Sequence, residues 1–263
     1  MHRLVVALAL LLAVWNRGSQ AEPLRLRVLT YNIHHGEGTD GRVDLSRLAG
    51  VMTSVHPDLV ALQEVDEGTE RASGVDELAV LARLTDLHAA FGKAMDYSGG
   101  EYGVAVLSRW PLLQTHNDPL PSLADHEPRT ALTVEVAVGV GGPRIEFTST
   151  HLDQARDPEN RLAQAQYLNE RLVRDDNRVS ILAGDMNARP DTPVMDLLAA
   201  RWTNPPAVDP SPISPSGRPR FRVDYVLIRP AARWRVVESS IVDDALASDH
   251  RPLLVVLEYT EAH

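Results

Sequence analysis

ILAGDMN, residues 181–187, changes abruptly from apolar side chains to a carboxylate, Asp185, and an amide, Asn187. The apolar run predicts a buried strand that ends in a loop. Because successive strand side chains point to opposite faces, residues two apart point the same way. We therefore expect Asp185 and Asn187 to direct their polar groups to one place at the end of this strand.

Polar residues cluster in the same way at or beside the ends of other apolar segments. These groups are YNIHH (31–35), QE (63–64), THLD (150–153), RVDY (222–225) and SDH (248–250). Taken singly, most such residues are turn formers, helix caps or surface residues. Asp224 is harder to explain in this way, since Asp is depleted in strands and a buried carboxylate needs a partner. Together the groups predict a functional site at the strand ends.

Strands and helices alternate through most of the chain. Apolar periodicity predicts strands at 24–31, 58–65, 102–108, 130–138, 144–150, 179–183, 222–228 and 251–258, and helices after Asp44 and at 76–86, 159–174 and 194–200. The Pro-rich segment 205–219 is interpreted as a surface loop, because the roughly 45 residues after it are too few for a typical domain. We expect residues 22–263 to form a single domain.

Residues 1–21 have the pattern of a secretory signal sequence. A basic start is followed by an apolar run at 4–15 and by small residues before Ala21. We expect cleavage near Ala21 and export to the periplasm or the medium, with an uncleaved anchor or a buried helix as the alternative. The chain contains no cysteine, which excludes disulfides, thiolate metal sites and a catalytic thiol.

The charge balance bears on the partners of the protein. Lys and Arg number 26 against 36 Asp and Glu, a formal net charge of −10. This balance disfavours tight nonspecific nucleic-acid binding, in which cationic contacts to phosphates supply most of the affinity. A phosphate substrate remains compatible with this charge, since a bound divalent cation reverses the local field.

Aromatic residues make up only 5% of the chain, so we expect no stable membrane insertion. We expect a monomer.

The clustered polar residues form a chemical set. It comprises carboxylates for a hard cation (Glu64, Asp249), amides that position ligands (Asn32, Asn187), histidines that exchange protons (His151, His250) and a carboxylate that activates water (Asp185). Oxygen ligands without thiolates suit Mg²⁺, Mn²⁺ or Ca²⁺ better than Zn²⁺. Hydrolysis of a phosphate ester requires such a set, because charge spreads over the nonbridging oxygens in the transition state.

The order of these motifs resembles the endonuclease/exonuclease/phosphatase superfamily, the DNase I-like metal-dependent phosphohydrolases. The motifs are YNI (31–33), LQEV (62–65), THLD (150–153), GDMN (184–187), RVDYV (222–226) and SDHRPL (248–253), and the resemblance spans about 24–259. It implies an α+β fold, a four-layer α/β/β/α sandwich. In this fold two mostly antiparallel sheets pack face to face, with helices outside.

The resemblance also implies a role for each matching residue. Glu64 would be the principal metal ligand, with Asn32 and Asp249 in support, and the ion would be Mg²⁺, with Mn²⁺ or Ca²⁺ as alternatives. Asp185 would orient or deprotonate the attacking water, and Asn187 would hold the phosphate. His250, aligned by Asp224, would bond to a phosphoryl oxygen. His151 would contact the phosphate or protonate the leaving oxygen.

The roles of three further residues are less well defined by the sequence. Arg129 lies where members of the family often have a phosphate-facing arginine, and a surface salt bridge explains it equally well. Glu101 would orient His151 through a carboxylate contact or lie in an exposed turn. His34 replaces the charged residue that some nucleic-acid branches have at this position, which weakens the case for DNA repair activity.

The sequence thus predicts an exported, metal-dependent phosphoesterase, foremost a phosphodiesterase acting by in-line attack of water on phosphorus, with a phosphomonoesterase left open. Two other enzymes are alternatives: a DNase-like endonuclease and a sphingomyelinase-like phospholipid hydrolase. Two noncatalytic proteins are also alternatives: a binding protein that has lost turnover, and a structural exported domain with an incidental acidic cluster. The loops around the site set specificity and carry no readable code for the substrate.

Overall fold

The computed structural model describes residues 23–139, 141–173, 178–206 and 208–260. The predicted signal sequence, residues 1–21, lies outside these residues. Among the helices that are described, none has the length and apolar character needed to cross a membrane.

Strands dominate the described part of the chain. They are β1 (Arg25–Asn32), β2 (Leu59–Glu67), β3 (His88–Tyr97), β4 (Gly100–Ser108), β5 (Leu112–Pro119), β6 (Thr130–Ala137), β7 (Arg144–His151), β8 (Ser180–Asp185), β9 (Asp224–Arg229), β10 (Trp234–Ile241) and β11 (Leu253–Tyr259). The α-helices are α1 (Leu45–Ser54), α2 (Glu77–Thr85), α3 (Glu159–Arg171) and α4 (Pro193–Ala199), and short 3₁₀ turns lie at His34–Gly36 and Ala231–Arg233. Asp44 and Asp76 cap α1 and α2 by accepting bonds from backbone N–H groups.

The strands form two sheets that pack face to face. The described strands order as β10-β11-β1-β2-β4-β3 in one sheet and β5-β6-β7-β8-β9 in the other. One apolar cluster fills the space between the sheets, and it takes Leu26 and Val28 from β1 and Ile181 and Ala183 from β8. The alternating residues Leu29 and Tyr31 of β1 instead face α1 and α2, and Leu182 of β8 faces α3 and α4. The predicted four-layer sandwich is therefore confirmed.

Two parallel strand pairs set the position of the strand ends. Within an otherwise antiparallel arrangement, β1 runs parallel to β2 and β7 runs parallel to β8. Each pair is joined by a crossover that contains a helix, α1 or α3. The register pairs Asn32 with Gln63 and His151 with Asp185, and antiparallel β9 begins at Asp224 beside Asp185. The predicted site residues therefore lie at one end of each sheet.

The sequence-based assignment missed three strands, β3, β5 and β10. Each lies at an edge of its sheet, and most of its side chains are exposed or half-buried. An edge strand contacts a neighbour on only one side and does not need the apolar run that marks a central strand. The remaining predicted strands and helices are present, with ends shifted by a few residues.

Glu77 is a fully buried carboxyl at the first turn of α2. Its Oε2 accepts a hydrogen bond from the backbone N–H of Asp66 at 2.9 Å, which attaches α2 to the end of β2. Burial raises the pKa of Glu77 from its ordinary value of 4.5 to about 8, and the nearby Asp66 carboxylate adds to the shift. The folded protein therefore holds this proton at neutral pH.

Glu77→Gln is expected to remove a pH dependence of stability. Between the ordinary pKa of 4.5 and about 8, the folded state binds one proton more than the unfolded state. The free energy of unfolding therefore falls as pH rises, by about 1.4 kcal/mol per pH unit from this group. Urea unfolding at several pH values in this range measures the free energy of unfolding. That free energy should fall less steeply with pH in the variant than in the wild type. Glu159→Gln, an exposed acid in the first turn of α3, should keep the wild-type slope; equal slopes in all three proteins would contradict the assignment.

Candidate active site

Asp185 is the point at which the separate motifs meet. Its carboxylate is buried, and its Oδ2 lies 3.4 Å from Asn32 Nδ2 on β1. The same oxygen lies 3.6 Å from His151 Nε2 and 3.8 Å from His250 Nε2. The contacts therefore come from both sheets and from the segment before β11. The structure brings together residues that are far apart in the sequence, while the roles predicted for them stay predictions.

The end of β8 depends on a glycine and on a tight turn. A Cβ at Gly184 would lie 2.0 Å from the carbonyl oxygen of Thr150 on β7, so only glycine permits this close approach. The strand then ends at Asp185, and Asn187 adopts a left-handed backbone with φ 45°. The backbone N–H of Asn187 donates to Asp185 Oδ1 at 2.8 Å. Strand alternation was therefore the wrong reason for their proximity; an Asx-type turn produces it.

Glu64 reaches the site because of a β-bulge. The register between β2 and β4 shifts between Gln63 and Val65, and Glu64 has φ 57°. Leu62 and Val65 both pack toward the helices, which the strict alternation of a regular strand would forbid. Gln63 faces the other sheet, where its Nε2 donates to Ser149 Oγ at 3.3 Å. The extra residue Glu64 is thus turned out of the ladder toward Asn32.

Asn32 fixes the orientation of two carboxylates. Its Nδ2 donates to Glu64 Oε1 at 2.9 Å and lies 3.4 Å from Asp185 Oδ2. Its Oδ1 accepts from the backbone N–H of His34 at 3.0 Å. Asn32 therefore presents its amino group to Glu64, and its predicted role as a metal ligand stays a prediction.

The donor set fits a divalent cation. The ligand atoms of Asp185, Asp224 and His250 lie within 4.8 Å of one another, but there a charged His250 would compensate the two carboxylates. Glu64 and Asp249 line one cavity of about 280 Å³. Carboxylates in one cavity repel one another unless a cation or a proton compensates them. Oxygen ligands of this kind suit Mg²⁺, Mn²⁺ or Ca²⁺.

His250 is held in its charged form by Asp224. Its Nδ1 donates to Asp224 Oδ2 at 2.9 Å. Burial alone would lower the pKa of His250, but the charge and the hydrogen bond of Asp224, with Asp185 and Asp249, raise it to about 10. The imidazolium carries its second proton on Nε2, the nitrogen that faces Asp185. Burial, together with the Asp224 charge, raises the pKa of Asp185 to about 7.

His151 is neutral, in contrast to His250, because a cation lies beside its ring. Arg129 is 3% exposed, and its guanidinium lies 2.9 Å from His151 Nδ1. A guanidinium only donates, so Nδ1 accepts and the proton of the neutral ring is on Nε2. Burial, Arg129 and His250 hold the pKa of His151 well below its usual range. His151 is therefore a neutral hydrogen-bond donor that faces Asp185.

Arg129 and Glu101 differ in their distance from His151, and a phosphate-facing role of Arg129 stays a prediction. Arg129 also pairs with Glu127 at 3.1 Å, but its guanidinium is buried in the wall of the cavity and is not a surface salt bridge. The proposed contact between Glu101 and His151 was wrong, since Glu101 pairs with Lys93 at 2.7 Å in the β3–β4 hairpin. The group that orients His151 is a cation rather than a carboxylate.

Two serines support the site and were not assigned from the sequence. Ser248 Oγ donates to the carbonyl oxygen of Asn32 at 2.7 Å and accepts from the backbone N–H of His250 at 3.2 Å. The backbone N–H of Ser216, in the Pro-rich segment, donates to the Asp249 carbonyl at 2.6 Å. Ser248 could have been assigned from the sequence, because it lies in the SDH group beside Asp249 and His250. No sequence signal indicated Ser216.

Asp224→Asn is expected to lower the pKa of His250 from about 10. Without the carboxylate, burial acts against the imidazolium with less to offset it, so the ring should lose its proton nearer to neutral pH. Imidazole ¹⁵N NMR over a pH series measures this directly. His126, paired with Asp153 at 2.8 Å, is the internal control, and its ¹⁵N signals should be the same in both proteins. An unchanged titration of His250 would contradict the assignment.

Known proteins include relatives of similar sequence and structures with the same fold. An uncharacterised Escherichia coli K12 protein, YbhP, is 28% identical over 178 residues, which are 64% of this chain and 69% of that protein. The crystal structure of an endonuclease/exonuclease/phosphatase from Beutenbergia cavernae is 26% identical, with a TM-score of 0.73 over 90% of this chain and 72% of that one. A Bacteroides thetaiotaomicron mannosyl-6-phosphatase shares the fold at 17% identity, with a TM-score of 0.72 over 89% of this chain and 100% of that one.

The family profile is matched over most of the chain. The profile of the Endonuclease/Exonuclease/phosphatase family matches residues 29–250, a range that contains each of the predicted site residues. Members of this family are hydrolases that act on phosphoester bonds. The chain belongs to the endonuclease/exonuclease/phosphatase family.

Proposed function

We propose that this protein is an exported, divalent-metal-dependent phosphoesterase that acts foremost on phosphodiesters. One observation carries the proposal. The buried carboxylate of Asp185 lies within 3.8 Å of donors on Asn32, His151 and His250. A base and several donors that converge in this way match the needs of attack by water on phosphorus.

The proposal assigns the cation to the carboxylates of the cavity. Glu64 and Asp249 would hold it, with Asn32 orienting Glu64 through the 2.9 Å hydrogen bond. A bound Mg²⁺, or Mn²⁺ or Ca²⁺, supplies positive charge that stabilises the nonbridging oxygens of the transition state.

Asp185 is the proposed base for the attacking water. A pKa of about 7 would let Asp185 be partly ionised and still basic enough to accept a proton near neutral pH. The backbone N–H of Asn187 occupies Oδ1 at 2.8 Å, which leaves Oδ2 as the oxygen that faces the histidines. The water proton would therefore pass to Oδ2 as the new bond to phosphorus forms, while the opposite phosphorus–oxygen bond breaks and its electron pair stays on the leaving oxygen.

The two histidines are the proposed donors to the phosphate. His250 is an imidazolium and His151 a neutral ring, and each directs Nε2–H toward the same region beside Asp185. Preorganised donors of this kind stabilise developing negative charge without reorganisation during the reaction. Asn187 Nδ2 donates to the Leu152 carbonyl at 2.9 Å. It also lies 3.0 Å from His151 Nε2; since both nitrogens carry protons, they would donate to one phosphate oxygen rather than to each other.

Other functions receive less support. The net charge of −10 opposes the DNase-like alternative, and the completeness of the predicted site residues opposes a binding protein without turnover. A phosphomonoesterase is the second candidate, because a mannosyl-6-phosphatase shares the fold. The sphingomyelinase-like alternative rests on the family resemblance alone.

Asp185→Asn and His250→Ala are each expected to lower the rate of hydrolysis by at least ~100-fold, the scale of a general acid or base. The assay is release of p-nitrophenol from bis-p-nitrophenyl phosphate with Mg²⁺ or Mn²⁺, and EDTA should abolish it. His116→Ala is the matched control, since His116 also pairs with a carboxylate, Asp118, at 3.0 Å but is largely exposed. Full activity in both site variants would remove the mechanism. Faster release from p-nitrophenyl phosphate would favour the monoester candidate.

Export is tested independently of catalysis. The proposal expects a mature chain that begins at Glu22 when the full sequence is expressed in a bacterium with a general secretion pathway. Mass spectrometry of the periplasmic and culture fractions measures the start of the chain. An intact N-terminus retained in the membrane fraction would instead indicate an uncleaved anchor.

A further inference from the structure

His34 and His35 lie beside the proposed metal carboxylate, and no role has so far been given to their imidazoles. The two residues form a 3₁₀ turn directly after β1. His34, His35 and Glu64 each offer one ligand atom, and these atoms lie within 4.8 Å of one another. All three residues line the cavity of about 280 Å³ that also contains Asp249. Two nitrogen donors and one carboxylate therefore face the same space.

The ring of His34 is fixed in a ligand-competent form. Its Nδ1 lies 3.1 Å from the carbonyl oxygen of Glu37. A carbonyl only accepts, so Nδ1 carries the proton and the neutral ring keeps its lone pair on Nε2. Histidines that bind metals commonly donate their other ring N–H to a backbone carbonyl or a carboxylate in this way.

His35 has a buried ring nitrogen that lacks a hydrogen-bond partner among the described residues. This nitrogen is Nδ1, whereas Nε2 lies 3.7 Å from the carboxylate of Glu37. A buried polar atom without a partner requires an explanation, and a bound ion is one. Glu37 thus approaches one nitrogen of each ring, through its carbonyl for His34 and its carboxylate for His35.

The backbone holds the two rings side by side. His34 and His35 have φ 48° and 43°, consecutive left-handed conformations that residues other than glycine seldom adopt. Such conformations persist where the surrounding structure enforces them, often at ligand clamps. The ring centroids lie 4.4 Å apart with planes inclined by 57°. The strained turn therefore presents both rings on the side of Glu64.

The cations in the cavity wall do not oppose an ion strongly. Arg71 lines the cavity, but its guanidinium forms two hydrogen bonds of 2.6 and 2.7 Å with the carboxylate of Asp66. Arg129 pairs with Glu127 at 3.1 Å. Each positive charge is thus balanced locally, and the carboxylates of Glu64 and Asp249 remain for a cation.

We infer that His34, His35 and Glu64 bind one divalent transition ion, so that the site prefers Mn²⁺ or Zn²⁺ to Mg²⁺. The inference rests on the proposed function only in taking Glu64 as the metal carboxylate. Imidazole nitrogen suits first-row transition ions, whereas Mg²⁺ prefers oxygen ligands and retains several waters. The two histidines would then decide which ion the protein acquires.

The test measures binding of the ion rather than turnover. Mn²⁺ and Mg²⁺ affinities are measured by calorimetry on the full-length protein, and pulsed EPR on bound Mn²⁺ detects coupling to imidazole nitrogen. The variants are His34→Asn and His35→Asn, since Asn tolerates the left-handed backbone better than most residues. Glu64→Gln removes the shared carboxylate, and His88→Gln, an exposed histidine at the start of β3, is the control.

Each histidine variant is expected to bind Mn²⁺ at least tenfold more weakly and to lose part of the nitrogen coupling. Mg²⁺ affinity should stay within twofold in both, which also shows that the site remains folded. Glu64→Gln should weaken both ions, and His88→Gln neither. Mn²⁺ affinities within twofold of wild type in both histidine variants, without nitrogen coupling in the wild type, would overturn the inference and leave the proposed function intact. Hydrolysis that resists EDTA would instead refute the proposed metal dependence, while the Mn²⁺ affinities still decide the inference.

Discussion

A carboxylate with almost no access to solvent, Asp185, is the constraint on which the site depends. A buried charge is costly unless hydrogen bonds and opposite charges compensate it. Asn32 from the six-stranded sheet, His151 from the five-stranded sheet and the imidazolium of His250 share that task. The interactions that stabilise this carboxylate in the folded chain are the same ones that would act on a phosphate.

The topology explains how residues so distant in sequence reach one carboxylate. The parallel pairs β1–β2 and β7–β8 end at the same edge of their sheets, because each is joined by a helical crossover. Face-to-face packing of the sheets then sets Asn32 against Asp185. Antiparallel β9 begins with Asp224 beside the end of β8, where that residue reaches His250. The central strands therefore supply the rigid elements, and short loops complete the site.

The sequence predicted most of the fold and which polar residues come together at the strand ends, but not their local geometry. Central strands carry long apolar runs, so the polar residues at their ends are conspicuous. Edge strands such as β3 lack that signal, because much of their surface faces solvent. The bulge that turns Glu64 outward and the turn at Asn187 depend on left-handed backbone conformations, which the apolar pattern of a strand does not indicate. The tautomer of His151 depends on Arg129, a contact that spacing along the chain does not reveal.

The central claim is that one phosphate ester binds where these side chains converge. A crystal structure of the protein with Mn²⁺ and a nonhydrolysable phosphorothioate diester measures the position of phosphorus directly. The account predicts phosphorus in the cavity lined by Glu64, Asp249 and Arg129, with nonbridging atoms in contact with His151 and His250. A diester bound elsewhere on the surface, with this cavity open and the protein still active, would contradict it.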